Sequence, residues 1–154
     1  MDLKQRLHED LKDALRAGDA RRKRVIRMSL AAITNAEIEK GRQSGETELD
    51  QDEILAVLQK QAKQRQETID ELAEVERPGL LAEEKKELAI LEEYLPEQLS
   101  REEIAAEAQE VINQIGATGM KDVGPVMGRL MSRLRGRADG HIVNRVVREL
   151  LSSR

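Results

Sequence analysis

The sequence has no cysteine, tryptophan or phenylalanine, and Tyr94 is its single aromatic residue. Without cysteine there is no disulfide framework, zinc ribbon, iron–sulfur site or thiol nucleophile. Without aromatic rings there is no platform on which single-stranded bases can stack, which argues against RRM- and OB-type readers of nucleic acid. Histidine is scarce: His8 and His141 stand 133 positions apart, and His8-Glu9 lacks the second histidine that a helical zinc site needs. No metal or other cofactor is expected. No apolar run approaches the roughly 18 residues of a membrane span. Met1-Asp2-Leu3-Lys4-Gln5-Arg6 is not followed by the apolar stretch of a signal peptide. The expectation is a cytoplasmic protein with no membrane partner.

What the sequence does have is charge and aliphatic carbon. Charged residues make up 36% of the chain, well above the average of about 25%. Leu, Ile and Val number 38 of 154, above the roughly 20% below which chains stay disordered. The apolar period is helical almost throughout. Leu3, Leu7, Leu11 and Leu15 mark a first helix that Gly18 stops. Asp19 opens a second, with Val25, Ile26, Leu30, Ile33 and Ala36, reaching about Lys40. Gly41 to Gly45 reads as a polar loop. Asp50 with Glu53 forms a capping box for a third helix of about 26 residues. Pro78-Gly79 ends that helix and starts a fourth, with Leu80, Leu81, Leu88, Leu91 and Leu95 and with Pro96 as its stop.

Ser100-Arg101-Glu102-Glu103 is a second capping box and opens a fifth helix that Gly116 closes. Asp122 is placed to cap a sixth, carrying Val123, Val126, Met127, Leu130, Met131 and Leu134. Asp139 is placed to cap a seventh, with Ile142, Val143, Val146, Val147, Leu150 and Leu151 turned inward. No strand pattern survives. The fold class is therefore all-α. A helical N-terminal domain over 1–96 and a compact three-helix domain over 97–154 are expected to meet at a hinge in Leu95-Pro96-Glu97-Gln98-Leu99.

Charge follows that division. Residues 51–110 carry 7 basic and 17 acidic side chains, whereas residues 111–154 carry 8 and 3. Arginine suits phosphate because its planar fork donates two parallel hydrogen bonds. The candidate nucleic-acid contacts are Arg129, Arg133, Arg135, Gly136, Arg137, Asn144, Arg145 and Arg148. A secondary basic run, Arg21, Arg22, Lys23, Arg24 and Arg27, either extends that footprint or is a solvated face held by intrahelical pairs. Gly124 and Gly128, one turn apart, would let another backbone approach closely. The carboxylate pairs Glu83-Glu84, Glu92-Glu93 and Glu102-Glu103 read as solvated helix faces rather than acid/base partners. No nucleophile motif accompanies them, and Gly119 to Val126 lacks the Lys-Ser/Thr of a P-loop. No catalytic constellation is seen.

Leu91-Glu92-Glu93-Tyr94-Leu95-Pro96-Glu97-Gln98-Leu99-Ser100 resembles the hinge signature of the GatB/YqeY family. Val126-Met127-Gly128-Arg129-Leu130-Met131, then Arg135-Gly136-Arg137-Ala138-Asp139-Gly140 and Val143-Asn144, resembles its C-terminal signature. Arg27-Met28-Ser29-Leu30-Ala31-Ala32-Ile33 with Asn35-Ala36-Glu37-Ile38 is similar to its N-terminal pattern. The resemblance covers nearly the whole chain. Ser132 departs from it, since proline is frequent there. The resemblance implies a C-terminal domain like the tail of the GatB subunit of glutamine-dependent tRNA amidotransferases, a tail that helps recognise tRNA. It implies a non-catalytic module binding tRNA or another structured RNA, accessory to such an amidotransferase, because the chain lacks both the amidase Ser–Ser–Lys arrangement and an ATP cradle. It also implies a tight turn at Gly136, a phosphate contact at Arg137, close packing at Ala138 and a structural or RNA-touching Asn144. The alternative is an adaptor whose acidic middle docks a basic protein or a second copy.

Overall fold

A computed structural model describes residues 2–153, and among them every regular element is helical. There are seven α-helices: α1 (Leu3–Ala17), α2 (Ala20–Ser44), α3 (Gln51–Glu74), α4 (Pro78–Glu92), α5 (Arg101–Ile115), α6 (Val123–Leu134) and α7 (Gly140–Ser152). A short 3-10 turn, Met120–Asp122, precedes α6. None of the described helices is long and apolar enough to cross a membrane. The chain divides between Leu95 and Pro96 into two compact units.

The capping boxes read from the sequence form as expected. Asp50 accepts from the Glu53 N–H at 2.8 Å, and Glu53 returns a bond to the Asp50 N–H at 3.1 Å. Ser100 and Glu103 repeat the pattern at 3.1 Å each way. Each box satisfies two donors that the first helical turn leaves without partners. Gly18 and Gly116 end α1 and α5 in the left-handed conformation, both at φ 69°.

Helix α2 runs past the expected stop at Lys40 to Ser44, so the segment from Gly41 is helix rather than loop. One glycine in a helix interior costs only about 1 kcal/mol. Lys40 offsets it locally, donating to the Glu48 carbonyl at 2.9 Å and to Glu53 at 2.8 Å, which ties the end of α2 to the start of α3. The left-handed residue that closes α2 is Gly45, at φ 81°. Helix α4 ends at Glu92, before Pro96, through a tight succession of turns in which the Tyr94 N–H reaches the Leu91 carbonyl and the Leu95 N–H the Glu92 carbonyl.

The first unit buries Leu7, Val25, Ile26, Ile33, Ile54, Leu58, Leu91 and Tyr94 in one cluster. Leu15 and Leu80, expected on inward stripes, are about half exposed. In α1 the inward position near the C-terminus is Ala14 instead. The second unit buries the apolar faces of α5, α6 and α7 together, including Val111, Ile112, Val126, Leu130, Val147 and Leu151. Each such side chain contributes about 1.5–3 kcal/mol relative to exposure. Ile142, expected inward, is 42% exposed. Its neighbours Val143 and Val146 define the buried row, and Ile142 lies to one side of it. Asp122 does not cap α6. Its carboxylate accepts from the N–H groups of Thr118 and Gly119 at 2.9 and 3.3 Å and so organises the turn before it.

Candidate nucleic-acid interface

The second unit is less basic than residues 111–154 alone. Over residues 96–154 there are nine basic and eight acidic side chains, because α5 brings the acids that the tail lacks. Those acids take specific partners. Arg133 reaches Glu107 at 2.7 Å and Glu110 at 3.3 Å. Arg101 holds Glu149 at 2.5 Å. That partner keeps the Glu149 carboxyl below its ordinary range. Arg137 lies near enough to Glu103 to help its Ser100 hydrogen bonds lower that carboxyl too.

These contacts fix which flank of each helix faces which neighbour. The Arg133 flank of α6 faces α5, and Arg129, one turn earlier, shares it. The opposite flank of α6 faces α7, because the Met131 methyl lies 3.9 Å from where a Cβ would stand on Gly140. On α7 the Glu149 flank faces α5. Gly140 starts a row spaced by four that continues through half-buried Asn144 to exposed Arg148. Gly124 and Gly128 lie one turn apart on α6. They are exposed, and a Cβ on either would meet no atom within 4 Å. Among the described residues no other backbone lies within 4 Å of those positions, contrary to the close-approach expectation. They leave a strip of bare helix on the surface of α6.

The eight candidates thus fall in three places. Asn144 and Arg148 lie one turn apart on α7, where Asn144 Oδ1 accepts from Arg148 Nε at 2.7 Å. Arg145 lies on the outward side of α7, exposed. Arg129 and Arg133 sit on the far flank of α6, and only Arg133 is paired there with acids. Arg135, Gly136 and Arg137 form the turn between α6 and α7. Gly136 is buried with φ 83°, the tight turn the signature implied. That turn is fastened to the linker. Gln98 Nε2 donates to the Gly136 carbonyl at 2.9 Å and to the Pro96 carbonyl at 3.0 Å. The Leu99 N–H reaches the Arg137 carbonyl at 2.9 Å. Ala138 is buried in the core of this unit.

The secondary run behaves differently. Arg21 clasps Glu83 with two bonds of 2.7 and 2.8 Å. Arg22 clasps Glu93 at 2.6 and 3.2 Å. Arg24 reaches Glu87 at 2.7 Å. These pairs run between α2 and the α4 region and lower the Glu83 and Glu93 carboxyls, while Arg22 also reaches Asp19, which caps α2, at 3.7 Å. Lys23 and Arg27 make no ion pair among the described residues, so the run retains two uncommitted cations of five.

Sequence reasoning also missed a buried ionic centre. Glu87 is 7% exposed and Arg65 8%. They meet at 2.6 Å, and Arg65 also reaches Glu84 at 3.4 Å and the Met28 sulfur at 3.6 Å. Desolvation opposes the charge on Glu87, yet Arg24 and Arg65 hold its carboxyl below the ordinary value. An open cavity of about 200 Å³ adjoins Arg65, lined also by Met28, Gln61, Gln64, Thr68 and Glu84. Glu83 and Glu84 are therefore brace residues rather than a solvated face. No sequence signal marks them, because Lys85 and Lys86 are nearer in the chain than their actual partners.

The described residues define an all-helical protein with a compact three-helix unit that carries exposed arginines. The chain belongs to the YqeY family: the family model for the Yqey-like protein matches residues 4–151. It is 28% identical over 155 residues to Altered inheritance of mitochondria protein 41, mitochondrial, of Pyrenophora tritici-repentis, covering 97% of this chain and 81% of that protein. The protein of the same name from Kluyveromyces lactis is 36% identical over 112 residues, 71% of this chain and 58% of the relative. A glutamyl-tRNA(Gln) amidotransferase subunit from Aeropyrum pernix is 48% identical over 63 residues, 36% of this chain but only 10% of that relative.

Proposed function

We propose that the chain is a non-catalytic module that binds tRNA or another structured RNA and acts beside a glutamine-dependent tRNA amidotransferase. Its two compact units work as separate domains in this reading, and its compartment is the cytoplasm, although the names of both fungal relatives place those proteins in mitochondria. The observation that carries the reading is the set of arginines in the second unit that its own acids leave unneutralised. Arg129 has no ion pair among the described residues, and the partner of Arg148 is a neutral carboxamide. The similarity to an amidotransferase component whose name contains a tRNA supports the choice of RNA. The scarcity of aromatics favours backbone and shape recognition over base stacking.

The test is fluorescence anisotropy of nuclease-treated protein with bulk tRNA at several salt concentrations, with a duplex RNA of similar length as control. Saturable, salt-weakened binding that prefers tRNA is the expected result. Arg129, Arg145 and Arg148 changed together to Glu should abolish it. Changing Arg129, Arg133, Arg135 and Arg137 to Glu probes the other flank and the turn. Equal, weak binding to both RNAs would reduce the surface to a diffuse basic patch. No binding at low salt would favour the adaptor reading. One feature speaks for it: Glu67, Glu71, Glu74 and Glu76 are exposed and make no ion pair among the described residues, next to exposed Val75 and Leu80. A basic protein retained after RNase treatment would then be the expected partner.

A further inference from the structure

We propose that Asn144 is a positioning residue: it holds the guanidinium of Arg148 on the surface of α7 so that its outer nitrogens meet a phosphodiester group. The inference rests on the RNA-binding reading above and names the contact that reading needs.

Arg148 is exposed, and its one hydrogen bond among the described residues runs from Nε to Asn144 Oδ1, at 2.7 Å. Nε is the guanidinium nitrogen bonded to the side-chain stem. Committing it there leaves both Nη groups, with four N–H donors, without a partner among the described residues. The Nη1/Nη2 edge is one of the two edges by which a guanidinium grips two oxygens of one phosphate. Two other paired arginines of this unit are used the opposite way. Arg101 and Arg133 spend Nη2 on the carboxylates of Glu149, Glu107 and Glu110. A carboxylate at 144 would do the same to Arg148 and cancel its charge. Asparagine fixes the side chain and leaves the charge intact. Glu149, the acid next in sequence to Arg148, is turned away to Arg101.

A free arginine side chain loses considerable rotamer freedom when it binds. Here part of that ordering is already in place, which is what preorganisation means. Access is open as well, since Arg148 is exposed on the surface of α7.

Asn144→Ala, Asn144→Asp, Arg148→Ala and the Asn144→Ala/Arg148→Ala double variant are titrated with bulk tRNA across a salt series. Circular dichroism checks that each is folded. Asn144→Ala should weaken binding roughly two- to tenfold, the scale of ordering one long side chain, without changing the salt slope. Arg148→Ala should weaken binding and flatten the slope by about one, as expected for one lost phosphate contact. The double variant should match Arg148→Ala, and Asn144→Asp should bind less well than Asn144→Ala. Wild-type affinity in Asn144→Ala, or independent effects of the two changes, would overturn the proposal while the RNA reading stands. If the wild type does not bind tRNA, that reading fails and a second measurement decides the proposal. The Arg148 Nε–H resonance is followed during titration with inorganic phosphate. A saturable shift in the wild type that is lost in Asn144→Ala upholds the positioning role, and an equal response in both overturns it.

Discussion

Removing the Glu87 carboxylate, as in Glu87→Ala, should destabilise the first unit through Arg65. Glu87 receives bonds from Arg24 at 2.7 and 2.9 Å and from Arg65 at 2.6 Å. The two arginines differ in what they can do afterwards. The Arg24 side chain is 50% exposed and returns to water, whereas that of Arg65 is 10% exposed. Arg65 would keep only the 3.4 Å contact to Glu84 and a thioether. Breaking a buried ion pair costs about 3–5 kcal/mol, and the freedom of Arg24 places this case at about 3. For a unit of this size that is a fall of about 12–24 °C in Tm. The assay is urea and thermal unfolding followed by the fluorescence of Tyr94, which sits in the core of this unit and is the chain's sole aromatic. The paired change Arg65→Met with Glu87→Leu should recover most of the loss, since apolar replacements of buried ion pairs are commonly neutral or better. A cost below about 1 kcal/mol for Glu87→Ala, or additive costs in the paired variant, would refute the reasoning and make the centre a surface bridge.

Acid should loosen the same braces. The folded carboxyls of Glu83, Glu87 and Glu93 lie below their ordinary value of 4.5, so they stabilise above that pH and the stabilisation is lost as pH falls through the lowered folded values; urea midpoints measured downward from about pH 5 check it. Alkali should act through Tyr94, whose hydroxyl donates a hydrogen bond to Asp10 and whose burial raises its pKa above the ordinary 10.0. The neutral phenol is favoured in the folded state, so stability should fall as pH rises past 10, and the phenolate absorption band should emerge together with unfolding rather than before it. Gly136→Ala should cost about 1–2 kcal/mol in urea unfolding, because φ 83° is a left-handed conformation that a Cβ resists.

Much of the helical order could be read from the chain because it is written locally. Asp50 with Glu53, Ser100 with Glu103, and the glycines at 18 and 116 each act within one turn of where they stand. Gly41 misled because a glycine signals a stop only when the chain takes up a left-handed conformation there, and Gly45 did so instead. Ile142 misled because a helical stripe fixes a row and not how wide the buried sector is. The candidate arginines were legible as residue types but not as charges. Whether Arg133 is neutralised depends on α5 lying beside α6, and whether Arg21 or Arg24 is depends on α4 lying beside α2. Those neighbours are 23 to 63 positions away in the sequence. Arg65 and Glu87 were invisible for the same reason, since each reads as an ordinary polar position of its own helix. The short-range bond from Asn144 to Arg148 spans one turn, but only coordinates show that it takes Nε and spares the rest of the fork.

The clasp between linker and turn bears on how the protein can be cut. A fragment beginning at Ser100 would contain α5, α6 and α7 with both caps of α5 intact, and on helix boundaries alone it would look complete. It would lack the Gln98 carboxamide and the Leu99 N–H that hold the carbonyls of Gly136 and Arg137. The two signatures, about forty residues apart along the chain, are one knot in space. The start of the minimal C-terminal fragment is therefore set by a pair of backbone carbonyls in the basic turn, and a working cut falls at the Leu95–Pro96 bond, ahead of everything Gln98 touches.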